Sequence, residues 1–352
     1  MTTTQQTFDD FDWAECIGGI DLDEYSNLSL DSEVEDVPEP SKLHISTITA
    51  TARIVSKDAA GNIILGEEDF LPINLQKLYE DIEVDLTMEH GPIISIEYVD
   101  NPIRGFDRTK KRKKKRKTTK KKRNKFYNQS TLLVRMLSEH IVNLKLFRNG
   151  GIQMTGLKYE EEGVECITDV IIPILTKLKG VIDEKYITGE NTLHIDKYDI
   201  VMINSNYVTN FKIKRDVLHE ILNKNYGILA SYEPCIYPGV NAKYYWNETH
   251  DKYNEGVCSC ESKCVGKGRG NGDGDCKKIT ISTFQSGSVI ITGARNTKQI
   301  YDAYNFINEV FARHYNEIKK REVIIEVPKP PTFKKKRVKF TIKTKVKGSP
   351  TI

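Results

Sequence analysis

Four cysteines crowd into one stretch, Cys258-x-Cys260-x3-Cys264-x11-Cys276. Four thiolates in one loop can close a tetrahedral zinc site, and a cluster of this kind suits a metal clip in a reducing compartment better than a disulfide framework. The spacing departs from the paired C-x2-C pattern, so unmetallated thiols in a Gly-rich loop stand as the second reading. The glycine run within it, GKGRGNGDGD, lacks a Gly-Lys-Ser/Thr ending and a following helix, which removes a phosphate cradle of the P-loop kind. The sequence holds no HExxH, Walker loop or nucleophile elbow, and its seven histidines are scattered. His140, His219 and His314 read as structural or solvated, and no enzyme is expected.

The second chemistry is electrostatic. A net charge of +4 hides strong segregation. Residues 1–41 carry twelve acids and no Lys or Arg, residues 104–125 carry fifteen bases and one acid, and residues 319–352 carry twelve bases and two acids. The remainder is mildly acidic, so attraction to polyanions resides mainly in appendages. A run such as RTKKRKKKRKTTKKKRNK repels itself and cannot be buried. A solvated loop, an import signal and a nucleic-acid arm are its three readings. The acidic segment has few helix or strand signals and reads as a disordered tail, or as an acidic-aromatic mimic of DNA. No run of about 18 apolar residues is present, so no membrane span is expected; an acidic, polar start is no signal peptide.

The third chemistry lies in an unusual strand face. Residues 278–315 read as strand, tight turn, strand and helix, the turn being Gln285-Ser286-Gly287-Ser288. Side chains alternate across a strand. Ile279, Ile281, Val289 and Ile291 form one apolar face. Thr280, Ser282, Phe284, Ile290 and Thr292 form the other, where a large aromatic sits among small hydroxyls. Asn296 or Thr297 caps the helix, whose stripe is Ile300, Ala303, Tyr304, Ile307, Val310 and Phe311. The unit recurs 137 residues earlier: Phe147-x-x-Gly150-x4-Thr155-Gly156 matches Phe284-x-x-Gly287-x4-Thr292-Gly293. Its core set is Leu144, Leu146, Ile152 and Met154. Its trailing helix places Val164, Ile167, Ile171, Ile174 and Leu178 on one stripe, with Pro173 as a kink. A repeat of this length means two related halves.

The elements that position these faces follow in order. Residues 43–55 and 198–213 open the two repeats as strands. Residues 70–82 and 214–223 are short helices, and 92–99 and 126–136 further strands. Tyr232-Glu233-Pro234-x-x-Tyr237-Pro238-Gly239 is a stiff bend that projects Tyr237.

These residues resemble the TATA-box-binding protein family, closest to the divergent, insertion-bearing forms of giant DNA viruses. The likeness rests on that bend (the family's stirrup), on Ser286-Gly287, on Thr292-Gly293-Ala294-Arg295 and on Ile300-Tyr301-x-Ala303. In the first repeat it rests on Ser46-Thr47, Tyr127-Asn128 and residues 147–158. It implies an α+β fold, a pseudo-twofold saddle: a curved antiparallel sheet whose concave face enters a DNA minor groove, with helices on the convex face. The domains are then an acidic tail 1–41, a first repeat 42–180 with the basic insertion 104–125, a second repeat 181–318 with the Cys/Gly-rich insertion 254–277, and a basic disordered tail 319–352.

By resemblance the intercalating aromatics are Phe147, Tyr237 and Phe284, with Leu132 the candidate partner of Phe147. Thr155, Ile290 and Thr292 line the groove, and Lys158, Lys243 and Arg295 contact the backbone. The family's central Asn falls at Leu43 and Val201. Lys145, Gln153 and Ser282 replace apolar groove-lining groups, so strict TATA preference is not expected. The implied function is a general transcription factor that binds and bends AT-rich promoter DNA as a monomer and nucleates an initiation complex. A transcription factor IIB-like protein docks near Glu233, and RNA polymerase machinery follows. No cofactor is required beyond the candidate zinc, and the site of action is the nucleus or a cytoplasmic viral factory. The competing reading is a saddle-fold interaction module that has lost sequence-specific DNA binding.

Overall fold

The computed structural model describes residues 36–66, 69–85, 92–107, 126–248, 255–258, 260, 267–269 and 276–321. The expectations for the acidic segment before residue 36, the basic run 108–125, Cys264 and the tail from 322 lie outside the described residues.

Alternating side chains build one large, open, curved antiparallel sheet. The first half contributes β1 (His44–Lys57), β2 (Ile63–Ile64), β3 (Ile93–Tyr98), β4 (Arg104–Gly105), β5 (Gln129–Arg135), β6 (Ile141–Phe147) and β7 (Gly151–Leu157). The second contributes β8 (Thr192–Val208), β9 (Leu229–Ser231), β10 (Val240–Trp246), β11 (Lys277–Thr283) and β12 (Ser288–Ala294). The order β4-β3-β5-β6-β7-β1-β8-β12-β11-β10-β9 reads the same outward from the β1–β8 seam, with β4 as an extra edge strand. Register makes the halves superposable: Ile48 pairs with Leu157 and Ile203 with Ala294 in equivalent places, and Ile48 pairs with Ile203 across the seam. The pseudo-twofold axis therefore passes between Ile48 and Ile203.

One face carries the helices and the core. Ile279, Ile281, Val289 and Ile291 are buried, as are Leu144, Leu146, Ile152 and Met154. Over them lie α1 (Leu75–Asp81), α2 (Glu162–Glu165), α3 (Ile172–Lys177), α4 (Arg215–Lys224), α5 (Thr297–Arg313) and α6 (Tyr315–Ile318). The expected stripe of α5 is buried throughout, and Asn296 caps it by accepting from the Gln299 N–H at 2.9 Å. Among the described residues no helix is long and apolar enough to cross a membrane.

The first repeat's trailing helix differs from expectation. Between α2 and α3 the chain makes π-helical turns over Cys166–Ile171, with the Ile172 N–H reaching the Ile167 carbonyl. Pro173 supplies no N–H, and the wider turn rotates the stripe. Cys166, Ile167, Ile171 and Leu175 are buried, whereas Val164 is exposed and Ile174 half-buried.

Candidate nucleic-acid interface

Among the described residues the opposite face of the sheet carries no helix, and side-chain parity fixes what it presents. One lateral row runs Lys243, Thr280, Thr292, Asn204 and Thr47, each paired with the next across strands β10, β11, β12, β8 and β1. Its pseudo-twofold counterpart is Leu133, Asn143, Thr155, Thr49 and Met202. Two threonines, Thr155 and Thr292, thus occupy equivalent central positions, as the repeat predicts. The Thr292 hydroxyl donates to Asn204 Oδ1, and the Thr47 hydroxyl accepts from the Gly156 N–H at 2.9 Å. The central polar groups are held in place by a neighbouring strand within each half, β12 on β8 and β7 on β1.

That seam corrects the sequence alignment. Leu43 precedes β1, and Val201 is the unpaired residue of a bulge that faces Thr49 and Ala50. The carboxamide at the centre of the open face belongs to Asn204. A bulge adds one residue to a strand and shifts every later side chain to the other face, which a gapless alignment cannot anticipate.

The next row outward differs between halves. The second half has Asn241, Ser282, Ile290 and Asn206; the first has Thr131, Lys145, Gln153 and Thr51. Ile290 is exposed although apolar, and Lys145 is half-buried at the place of Ser282.

At the sheet's outer corners stand the aromatics. Phe284 and Phe147 are half-buried and neither belongs to the core. Tyr237 meets Phe284 with ring centroids 5.7 Å apart at 60°. The stirrup that carries Tyr237 turns on the Glu233 carbonyl, which accepts from the N–H groups of Ile236 and Tyr237 at 2.9 and 2.8 Å. Arg215, in the first turn of α4, clasps it to the hairpin: its guanidinium donates to the Pro238 carbonyl and, at 3.0 Å, to Gln285 Oε1, while stacking 5.1 Å from the Tyr232 ring. The equivalent position in the first half, fixed by Ile73 and Ile213 each donating to the hairpin turn, is the buried Leu75.

Register also identifies the aromatic that the sequence reading missed. Gln129 pairs with Phe147 as Gly239 stands opposite Phe284, so Tyr127 is the counterpart of Tyr237. Tyr127 is 76% exposed, against 37% for Tyr237. Leu132, the sequence candidate for this role, pairs with Leu144 on the helix-bearing face and is 1% exposed. The obstacle was the insertion: the eight-residue stirrup 232–239 corresponds to the long connection 98–129, which contains the basic run. Counting alternation back from Phe147 across the hairpin would have found Tyr127.

The expected backbone-contacting bases flank these rows. Lys158 and Arg295 are equivalent and exposed; the Lys158 ammonium donates to the Ser46 carbonyl at 2.9 Å. Lys243 is half-buried and donates to Thr280 Oγ1 at 3.1 Å. Burial, and then the charge of Lys278, lowers its pKa from the ordinary lysine value. Lys277 is lowered in the same way by burial, then Arg295 and Lys278. Lys277 alternates with Ile279 onto the helix-bearing side, whereas Lys243 and Lys278 share the open face, where an anion placed over these like charges would stabilise them. Glu233 lies exposed on the stirrup. Of the cysteines, Cys258, Cys260 and Cys276 come together with all three Sγ atoms within 4.8 Å of one another.

Residues 202–314 match the family model described as transcription factor TFIID, or TATA-binding protein. Over those residues the chain is similar to the TATA-binding-protein family. A TATA-box-binding protein-like protein of Acanthamoeba polyphaga mimivirus is 35% identical over 201 residues, 55% of this chain and 50% of the relative. The chain thus matches about half the length of that relative. The TATA-binding protein of Methanococcus jannaschii has 16% identity, with 78% of this chain and 99% of that chain covered and a TM-score of 0.37. The saddle assignment rests on strand order and register.

Proposed function

We propose that this TATA-binding-protein-like chain seats its concave face in the minor groove of AT-rich duplex DNA, bends the duplex and nucleates an initiation complex. The observation that carries the proposal is the pair of aromatics at each outer corner of a helix-free face, Tyr237 with Phe284 and Tyr127 with Phe147. Ring edges entering between base steps unstack and kink the duplex, and the bend brings more of the face into contact. Between them, the hydroxyls and the Asn204 carboxamide offer small polar groups to a groove that displays A N3 and T O2 acceptors. Lys158, Lys243 and Arg295 take the flanking phosphates. The partners are a transcription factor IIB-like protein at the stirrup around Glu233 and the polymerase machinery, in the nucleus or a viral factory. A mobility-shift titration tests it: binding to an AT-rich duplex at least about tenfold tighter than to a G·C duplex of equal length supports minor-groove readout. Equal affinities would leave only charge attraction.

Lys145 and Gln153 favour a second reading. They put polar groups where the other half has Ser282 and Ile290, and a saddle used only to bind proteins could tolerate them. That reading predicts no sequence preference and no bend.

A further inference from the structure

The geometry points to a zinc site built by Cys258, Cys260 and Cys276, which we propose as a metal clip that fixes the second repeat's insertion to the sheet. Cys276 Sγ lies 3.2 Å from Cys258 Sγ and 3.2 Å from Cys260 Sγ. A disulfide sulfur stands about 2.0 Å from a single partner. Here one sulfur lies equally far from two others at non-bonded distance, so the three thiols converge without a disulfide. Sulfurs around tetrahedral zinc, with Zn–S near 2.3 Å, stand about 3.8 Å apart, a spacing these three sulfurs reach with small side-chain adjustments. A soft, all-sulfur set selects zinc over hard cations such as magnesium.

The backbone holds the thiols in place on both sides. Before the pair, the Gly256 carbonyl accepts from the Tyr245 N–H of β10 at 2.8 Å. After it, the Gly268 carbonyl accepts from the Lys278 N–H of β11 at 2.8 Å. Both glycines have positive φ, +79° and +59°, and lie so close to the sheet that a Cβ would meet Tyr244 Cδ2 at 2.7 Å and Lys278 Cβ at 2.4 Å. Cys276, fully buried, immediately precedes β11, and the buried Tyr245 packs against the cluster. The insertion is thus pinned to two neighbouring strands, and its cysteines converge where they meet. Metal binding would displace the thiol protons and leave thiolates on the ion. Cys264, the fourth sequence candidate, lies outside the described residues. The proposal does not depend on DNA binding.

The full-length protein, purified under reducing conditions without added metal, decides it. Elemental analysis should find about one zinc per chain. Replacing zinc by cobalt should give sulfur-to-cobalt charge-transfer absorption. Cys260→Ser, which alters a half-buried position, should remove most of the zinc while thermal unfolding stays cooperative, and Cys235→Ser on the stirrup should leave it in place. Less than about half an equivalent, iron with inorganic sulfide, a disulfide among these cysteines, or zinc retained after Cys258→Ser with Cys260→Ser would overturn the proposal.

Discussion

Tyr237 and Phe284 stand edge to face, and Gly239 beneath them leaves little room for a side chain: a Cβ there would lie 3.0 Å from Tyr237 Cε1 and 3.1 Å from Phe284 Cε1. The first repeat has Gln129 at that place, opposite Phe147, and its tyrosine stands out into solvent. The two aromatic corners are therefore differently prepared. One is a packed pair clasped by Arg215, and the other is an open pair at the root of a basic insertion.

Exchanging the residue beneath the rings tests that difference. Gly239→Ala should part the rings at a cost of about 1–3 kcal/mol in packing and weaken binding to AT-rich duplex several-fold. Gln129→Gly should strengthen it, because Tyr127 can then settle against Phe147. Affinities measured by fluorescence anisotropy check both; identical affinities for all three proteins would show that the rings' packing is irrelevant to binding.

The halves should also contribute unequally. Thr292→Arg should damage binding more than Thr155→Arg, since the second half surrounds its threonine with Ile290 and Ser282 while the first already carries Lys145 and Gln153. In the proposed complex Lys145 would offset its desolvation by donating to A N3 or T O2 acceptors or by reaching a phosphate, which would make the first half follow backbone position more than groove shape. Lys145→Leu with Gln153→Val should lower salt sensitivity and sharpen the preference for A·T steps. Titrations at two salt concentrations measure this. Equal losses from the two threonine changes, with no effect of the double substitution, would make the halves equivalent.

Much of this was legible in the sequence because strand alternation is a strong signal. The core sets of both hairpins, the Asn296 cap and the Pro-Gly stirrup stand where the sequence puts them. The misses share one cause, which is that an added residue changes register without changing composition. The bulge at Val201 hid Asn204, the π-helical turns before Pro173 moved the stripe from Val164 to Cys166, and the basic insertion separated Tyr127 from Phe147. The convergence of Cys258, Cys260 and Cys276 required knowing that Gly256 and Gly268 dock on adjacent strands.

The basic run 108–125 falls in sequence between Asp107 and Phe126, next to Tyr127. Deleting residues 108–125 should flatten the plot of log K against log salt by about 0.9 for each phosphate that the run neutralises, and leave sequence preference intact. A slope unchanged within error would mean that the run does not touch DNA.

Glu233 is exposed on a stirrup whose backbone is already locked by its own carbonyl and by Arg215. Glu233→Arg should thus abolish a ternary complex with a transcription factor IIB-like protein and change DNA affinity less than about twofold, as expected for a surface substitution. A gel-shift supershift reads both. Loss of DNA binding together with the ternary complex, or of neither, would remove the stirrup as the partner's dock.

The most direct measurement is the bend itself. An AT-rich duplex labelled at both ends reports its end-to-end distance by energy transfer. Wild-type protein should shorten that distance on binding. Phe284→Ala should restore much of the unbent value and lower affinity by about tenfold or more, since one aromatic stacked on a base contributes about 1–3 kcal/mol. A Phe284→Ala protein that binds as tightly and bends as strongly as wild type would contradict the reading of this face as a minor-groove saddle.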